Sequence, residues 1–153
     1  MTRLNRTRAI LGVIAAAAMA GCASEELLTS RNLTHSVATN ACGLADAPGI
    51  VIMLANHPVS VEEPPDGEYV RAFVAGTIAT LAGKTVAVSG NFEDAMVTLY
   101  TSPTKSTFAT GGTVHISSIS PDRVVGSVDL IFPDRRLTAP FDALLVARAI
   151  MCG

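Results

Sequence analysis

Short runs of apolar residues alternate with polar ones from residue 49 onward, and turn residues separate the runs. The clearest case is the C-terminal third. "GTVHISSI" (112–119) sets Val114 and Ile116 on one side and His115 and Ser117 on the other. "VVGSVDLIF" (124–132) sets Val124, Val128, Leu130 and Phe132 against Ser127 and Asp129. "LTAPFDALLV" (137–146) aligns Leu137, Phe141 and Leu145, with Thr138 and Asp142 facing away. "SPDR" and "PDRR" mark the turns between these runs. Side chains alternate across a strand, so period-2 runs joined by Pro-Asp turns predict an antiparallel meander with one wet face.

The same reading extends upstream. "GIVIMLA" (49–55) is a short, continuously apolar strand, and "VEEPPDGE" (61–68) is a loop by its prolines and Asp-Gly. "EYVRAFVAGTIATLAG" (68–83) begins with two faces, Tyr69-Arg71-Phe73 against Val70-Ala72-Val74, and Gly76 then predicts a bend or bulge. "KTVAVSG" (84–90) and "DAMVTLYTS" (94–102) follow, the latter turning Val97 and Leu99 toward a core. Seven or eight strands in this span predict an all-β domain, either an antiparallel β-sandwich or a small β-barrel. Residues 72–83 and 142–152 are alanine-rich and fit strand or helix.

Ahead of this domain the pattern changes twice. Residues 23–41 are polar, rich in Ser, Thr and Asn, and lack sustained periodicity, which predicts a flexible tether. Before them, Arg3, Arg6 and Arg8 precede an apolar stretch from Ala9 to Gly21. As a helix that stretch covers about 20 Å, short of a hydrocarbon core of roughly 30 Å. A basic start, a short apolar middle and small terminal residues describe a secretory signal peptide. The chain thus divides into a signal at 1–21, an anchor and tether at 22–41, and a β-rich domain at 42–153.

Met19-Ala20-Gly21-Cys22 resembles the lipobox of bacterial lipoproteins. The resemblance implies that the Cys22 thiol carries diacylglycerol, that cleavage falls just before it, and that the new N-terminus is acylated. Met19 departs mildly from the family pattern, where Leu is commoner. Ala23 in place of Asp implies the outer membrane, where the cell has one. The rival is ordinary cleavage after Ala18-Met19-Ala20, giving a soluble secreted protein.

The cysteines separate the two. The chain has three, Cys22, Cys42 and Cys152. Lipidation consumes Cys22 and leaves an even pair, whereas ordinary cleavage leaves one thiol unpaired in an oxidising compartment. A Cys42–Cys152 disulfide would close the domain and contribute up to about 4–5 kcal/mol in the chain-entropy treatment. The alternative is two free buried thiols. Acyl chains replace a membrane span, since each buried CH₂ contributes about 0.8 kcal/mol. The succession Gly-Thr-Val, Gly-Ser-Val-Asp-Leu, Phe-Asp-Ala and Cys loosely resembles small β-rich domains of exported bacterial lipoproteins without assigned activity.

Charge and composition narrow the function classes. Losing three arginines with the signal takes the basic residues from 11 to 8 against 13 acidic, a net charge of −5. That balance argues against nucleic acid and against a basic patch on anionic lipid. Five Phe, two Tyr and no Trp leave little material for sugar or single-strand stacking platforms. His35, His57 and His115 have no metal-ligand spacing, and CxxC and HExxH are absent. Glu62, Glu63, Asp66 and Glu68 crowd a loop whose prolines break calcium-loop spacing. No G-x-S-x-G elbow is present, and Ser89, Ser117 and Ser118 read as strand ends and turns. No cofactor is expected.

The expectation is therefore a non-catalytic, outer-membrane-anchored lipoprotein that acts as a protein-interaction module in the bacterial envelope. One alternative is a carrier of a small apolar ligand, with Ala75, Gly76, Ala79, Ala82 and Gly126 leaving space between strands. The other is a hydrolase with a spatially assembled site.

Overall fold

A computed structural model of the chain describes residues 29–43, 46–63, 65–89 and 93–152. The expected signal peptide, Cys22 and the first part of the expected tether lie outside the described residues. The domain is all-β. Its strands are β1 (His35–Cys42), β2 (Pro48–Ala55), β3 (Tyr69–Ala75), β4 (Lys84–Ala87), β5 (Ala95–Ser102), β6 (Lys105–Phe108), β7 (Gly111–Ile119), β8 (Arg123–Ile131) and β9 (Arg136–Val146). They form one curled sheet, a half-barrel, in the order β4-β7-β8-β9-β1-β2-β3-β5-β6. Neighbours are antiparallel except β1 and β9, which run parallel from Val37↔Leu144 to Thr39↔Val146. The two edges, β4 and β6, are short and begin with Lys84 and Lys105. Charged, short edges discourage pairing with other chains.

The curl brings the inner faces of both halves onto one core. Ile50, Ile52, Leu54, Val70, Val74, Val97 and Leu99 pack with Val114, Ile116, Val128, Leu130 and Leu137. Each such side chain contributes about 1.5–3 kcal/mol by leaving water. The C-terminal meander follows the alternation read from sequence: β9 switches strictly between exposed and buried from Arg136 to Leu145. Gly126 leaves no void, because Phe141 Cζ lies 2.7 Å from where a Cβ would stand. The ring of Phe141 occupies that space.

The two ambiguous segments each divide. Strand β3 ends at Ala75, Gly76 adopts φ +134°, and a single helical turn, α1 (Ile78–Leu81), follows. Thr80 Oγ1 accepts from Thr77 N (3.0 Å) at its start. Strand β9 runs through Val146, and residues 147–152 form a tail without regular structure.

The tether expectation fails from residue 35. "HSVATNAC" is an interior strand, β1, paired along its whole length with β2 and at its centre with β9. Its periodicity is hidden because both faces are covered: Val37, Ala38 and Thr39 are consecutive and all buried. Its polar side chains also have work there. Thr39 Oγ1 donates to Val146 O (2.8 Å), and Asn40 accepts from Arg148 N (2.6 Å) while donating to Arg148 O (2.5 Å). Polar composition in this segment therefore serves pairing with the tail, and the domain begins before residue 35. The short strand β6 was also not evident from the sequence pattern.

Candidate functional site

The inner face of the sheet is filled, so function falls to its outer faces and its ends. The outer face of β7, β8 and β9 carries the polar half of the alternation. Thr85 Oγ1 and His115 Nδ1 are 2.9 Å apart, and Ser117 Oγ donates to Val125 O (2.9 Å). Asp129 receives a two-pronged contact from Arg136, at 2.7 and 2.6 Å, and a third bond from Thr138 (3.1 Å). The hydrogen bonds from Arg136 hold the Asp129 carboxyl below the usual carboxylate range, and Asp129 raises Arg136 in return. Arg123 pairs with Asp142 at 2.8 Å. Charges on this face are matched within the face.

The outer face of β1, β2, β3 and β5 is different. Val37, Val51, Met53, Ala55, Tyr69 and Phe73 form a second buried cluster there, with Val59 and Val61 packed against it. The loop that carries those two valines and the C-terminal tail form its cover. Arg148 in the tail donates to Val61 O (3.1 Å) and Glu62 Oε1 (2.6 Å). Cys42 and Cys152 are bonded, with sulfurs 2.12 Å apart, tying the end of β1 to the tail. Phe73 lies against Gly43 and Gly49, where a Cβ would collide with its ring. At the other end of the cluster Tyr69 stacks on Tyr100, with ring centres 4.7 Å apart and planes 7° from parallel. Burial, followed by the neighbouring Tyr100, pushes the Tyr69 hydroxyl above its ordinary 10.0.

This cover stops short of β5 and β6. Met96 and Tyr100 are only partly buried, and Phe108 is 50% exposed. Across the strands runs the row Met53–Arg71–Thr98–Phe108. Arg71 is half-buried in it. Arg123, Arg135, Arg136 and Arg148 each pair with an acid. Arg71 has neither an ion pair nor a side-chain hydrogen bond among the described residues, and the exposed Arg31 of the entry segment is alike in this. The sequence places Arg71 on one face with Tyr69 and Phe73 but gives no sign that this face is half covered. A cation between two apolar faces was the available signal.

The residues singled out from sequence do not converge. His35 is exposed at the start of β1, and His115 is held by Thr85. His57 Nδ1 lies 2.7 Å from Asn56 Oδ1, and its buried Nε2 has no hydrogen-bond partner among the described residues. Among the described residues no three His, Cys, Asp or Glu side chains are placed to share a metal ion. In the acidic loop Glu62 binds Arg148, and the buried Glu68 binds Arg135 (3.1 Å), so two of its carboxylates are structural ties. Glu63 and Asp66 are exposed. Ser89 follows β4, while Ser117 and Ser118 lie exposed at the β7 irregularity.

Two open clefts lie at the end of the sheet near the disulfide. One of about 350 Å³ is lined by Asn40, Pro48, Gly49, Gly76, Ile78 and Ile150. The other, about 340 Å³, shares Ile78 and adds Ile119, Pro121, Leu145 and Ala147. Of the small residues considered for a ligand space, Gly76 reaches the first cleft, whereas Ala79 and Ala82 are exposed near α1. The chain enters at the opposite end of β1, where Thr34 N donates to Ala55 O (3.0 Å). Compared with known protein families, with curated proteins and with solved structures, the chain matches none.

Proposed function

We propose that this chain is a lipoprotein, acylated at Cys22 and held at the bacterial outer membrane. There it binds another envelope protein without catalysis. The observation that carries the binding role is the inequality of the two outer faces. One saturates its own charges; the other exposes an aromatic and methionine rim beside an arginine that has no acid partner among the described residues. Interface centres are enriched in aromatic residues, Met and Arg, which is the composition of this rim. The sequence Met19-Ala20-Gly21-Cys22 supports the anchor. The Cys42–Cys152 bond supports it too, because it leaves Cys22 as the odd cysteine in an oxidising compartment.

Intact mass and fractionation test the anchor. The expected mature protein begins at Cys22, weighs more than its amino acids by the mass of its acyl chains, and leaves the membrane fraction on Cys22→Ser. An unmodified chain beginning at Gly21 would overturn the anchor.

A second reading, carriage of a small apolar molecule, draws on the two clefts that share Ile78. It requires a copurifying lipid-like ligand that raises the melting temperature, and Ile78→Glu should abolish that gain.

A further inference from the structure

Arg71 holds a position that the rest of the fold does not explain. It sits in the middle of β3, with Met53 on one side and Thr98 on the other, both nearly fully buried. Tyr69 and Phe73 flank it along the strand, on the same face. The chain has five Phe and two Tyr, and both Tyr, with Phe73 and Phe108, stand on this one face. A half-buried guanidinium has five N–H donors to satisfy, and among the described residues none of them meets a hydrogen-bond acceptor. Acids exceed bases in the chain by 13 to 11, yet among the described residues no acid forms an ion pair with this cation.

We infer that the outer face around Arg71 receives a carboxylate side chain from a segment of a second, different envelope protein, with Tyr100, Met96 and Phe108 forming the apolar rim around that contact. This rests on the reading of the same face as the protein-binding surface. Charge complementarity selects the partner's chemistry. A guanidinium binds a carboxylate with two parallel hydrogen bonds, and an aromatic surround lowers the local polarity that would otherwise weaken them. A rim that excludes water around one central contact is the arrangement in which single residues dominate affinity.

The test uses the full-length lipoprotein in cells, with a photo-crosslinking amino acid at Ser106, which is exposed on β6 opposite Tyr100. The expected result is one adduct whose partner peptide, read by mass spectrometry, contains Asp or Glu. Arg71→Gln should reduce its yield about tenfold or more, and Arg71→Lys should retain part of it. Changing the partner's acid to Arg should restore the adduct with Arg71→Glu. Melting curves check that each variant is folded. An adduct unaffected by Arg71→Gln and Arg71→Glu overturns the carboxylate contact but leaves the binding face standing. No adduct from Ser106 overturns the binding face itself. A product of two copies of this chain, or of lipid alone, overturns the choice of a second protein as occupant.

Discussion

The two outer faces of this sheet obey one alternation rule and reach opposite outcomes. On β7, β8 and β9 the outward positions are polar, and each charge finds its opposite one strand away, as Asp129 does with Arg136 and Arg123 with Asp142. On β1, β2 and β3 the outward positions are Val37, Val51, Met53 and Phe73, and a loop with a tail makes a second layer over them. The first face needs only water. The second depends on a cover that is pinned by the Cys42–Cys152 bond and by Arg148. Where that cover ends, Arg71, Met96 and Tyr100 are only partly buried and Phe108 is exposed. The difference teaches that a strand reads as one-sided only when its second side meets solvent.

The largest effect should come from removing the pin. A Cys42→Ser, Cys152→Ser pair should lose up to about 4–5 kcal/mol in denaturant unfolding. Amide exchange should rise in the loop that carries Val59 and Val61 and in the tail, and stay unchanged in β7 and β8. Uniform loosening of both faces would show that the cover is not a separate layer. Next, Phe73→Ala should cost about 3–4 kcal/mol, because the ring fills the space against Gly43 and Gly49. A cost like that of a surface change would place the packing elsewhere.

Smaller effects follow from titration. The Tyr69 hydroxyl is raised above 10.0 by burial, so its contribution to stability is complete below pH 10 and is lost as pH climbs from there through the folded value. Tyr69→Phe should flatten that alkaline decline while keeping the stacked ring. On the wet face the sign reverses. Asp129 is lowered by its hydrogen bonds from Arg136, so its contribution is present above 3.8 and fades as pH falls through the folded value. Its side chain is open to solvent, at 37% exposure, so the acid-side change should be slight. Asp142→Asn should be smaller still, within about 1 kcal/mol, since both members of its pair are about half exposed. A large loss there would mean that the wet face is not self-sufficient.

The sequence was legible where one side of a strand faces water. The sides of β8 and β9 follow directly from Val124, Val128 and Leu130 against Ser127 and Asp129. It was illegible where both sides are covered. β1 resembled a tether because Thr39 and Asn40 there bond the end of β9 and the tail beyond it, at sequence separations of 107 and 108. The Cys42–Cys152 pair was legible from counting, once Cys22 was set aside as the expected site of acylation. Arg71 was not, because its meaning depends on which acids lie near it and on where a loop stops, and neither is written in spacing.

The most direct measurement is a paired crosslinking experiment in cells, with the photoreactive residue at Ser106 on the aromatic face or at Ser117 on the polar face. The expected result is a defined protein adduct from Ser106 and none from Ser117. Equal adducts from the two positions, or an adduct from Ser117 alone, would contradict the assignment of the binding role to the face around Arg71.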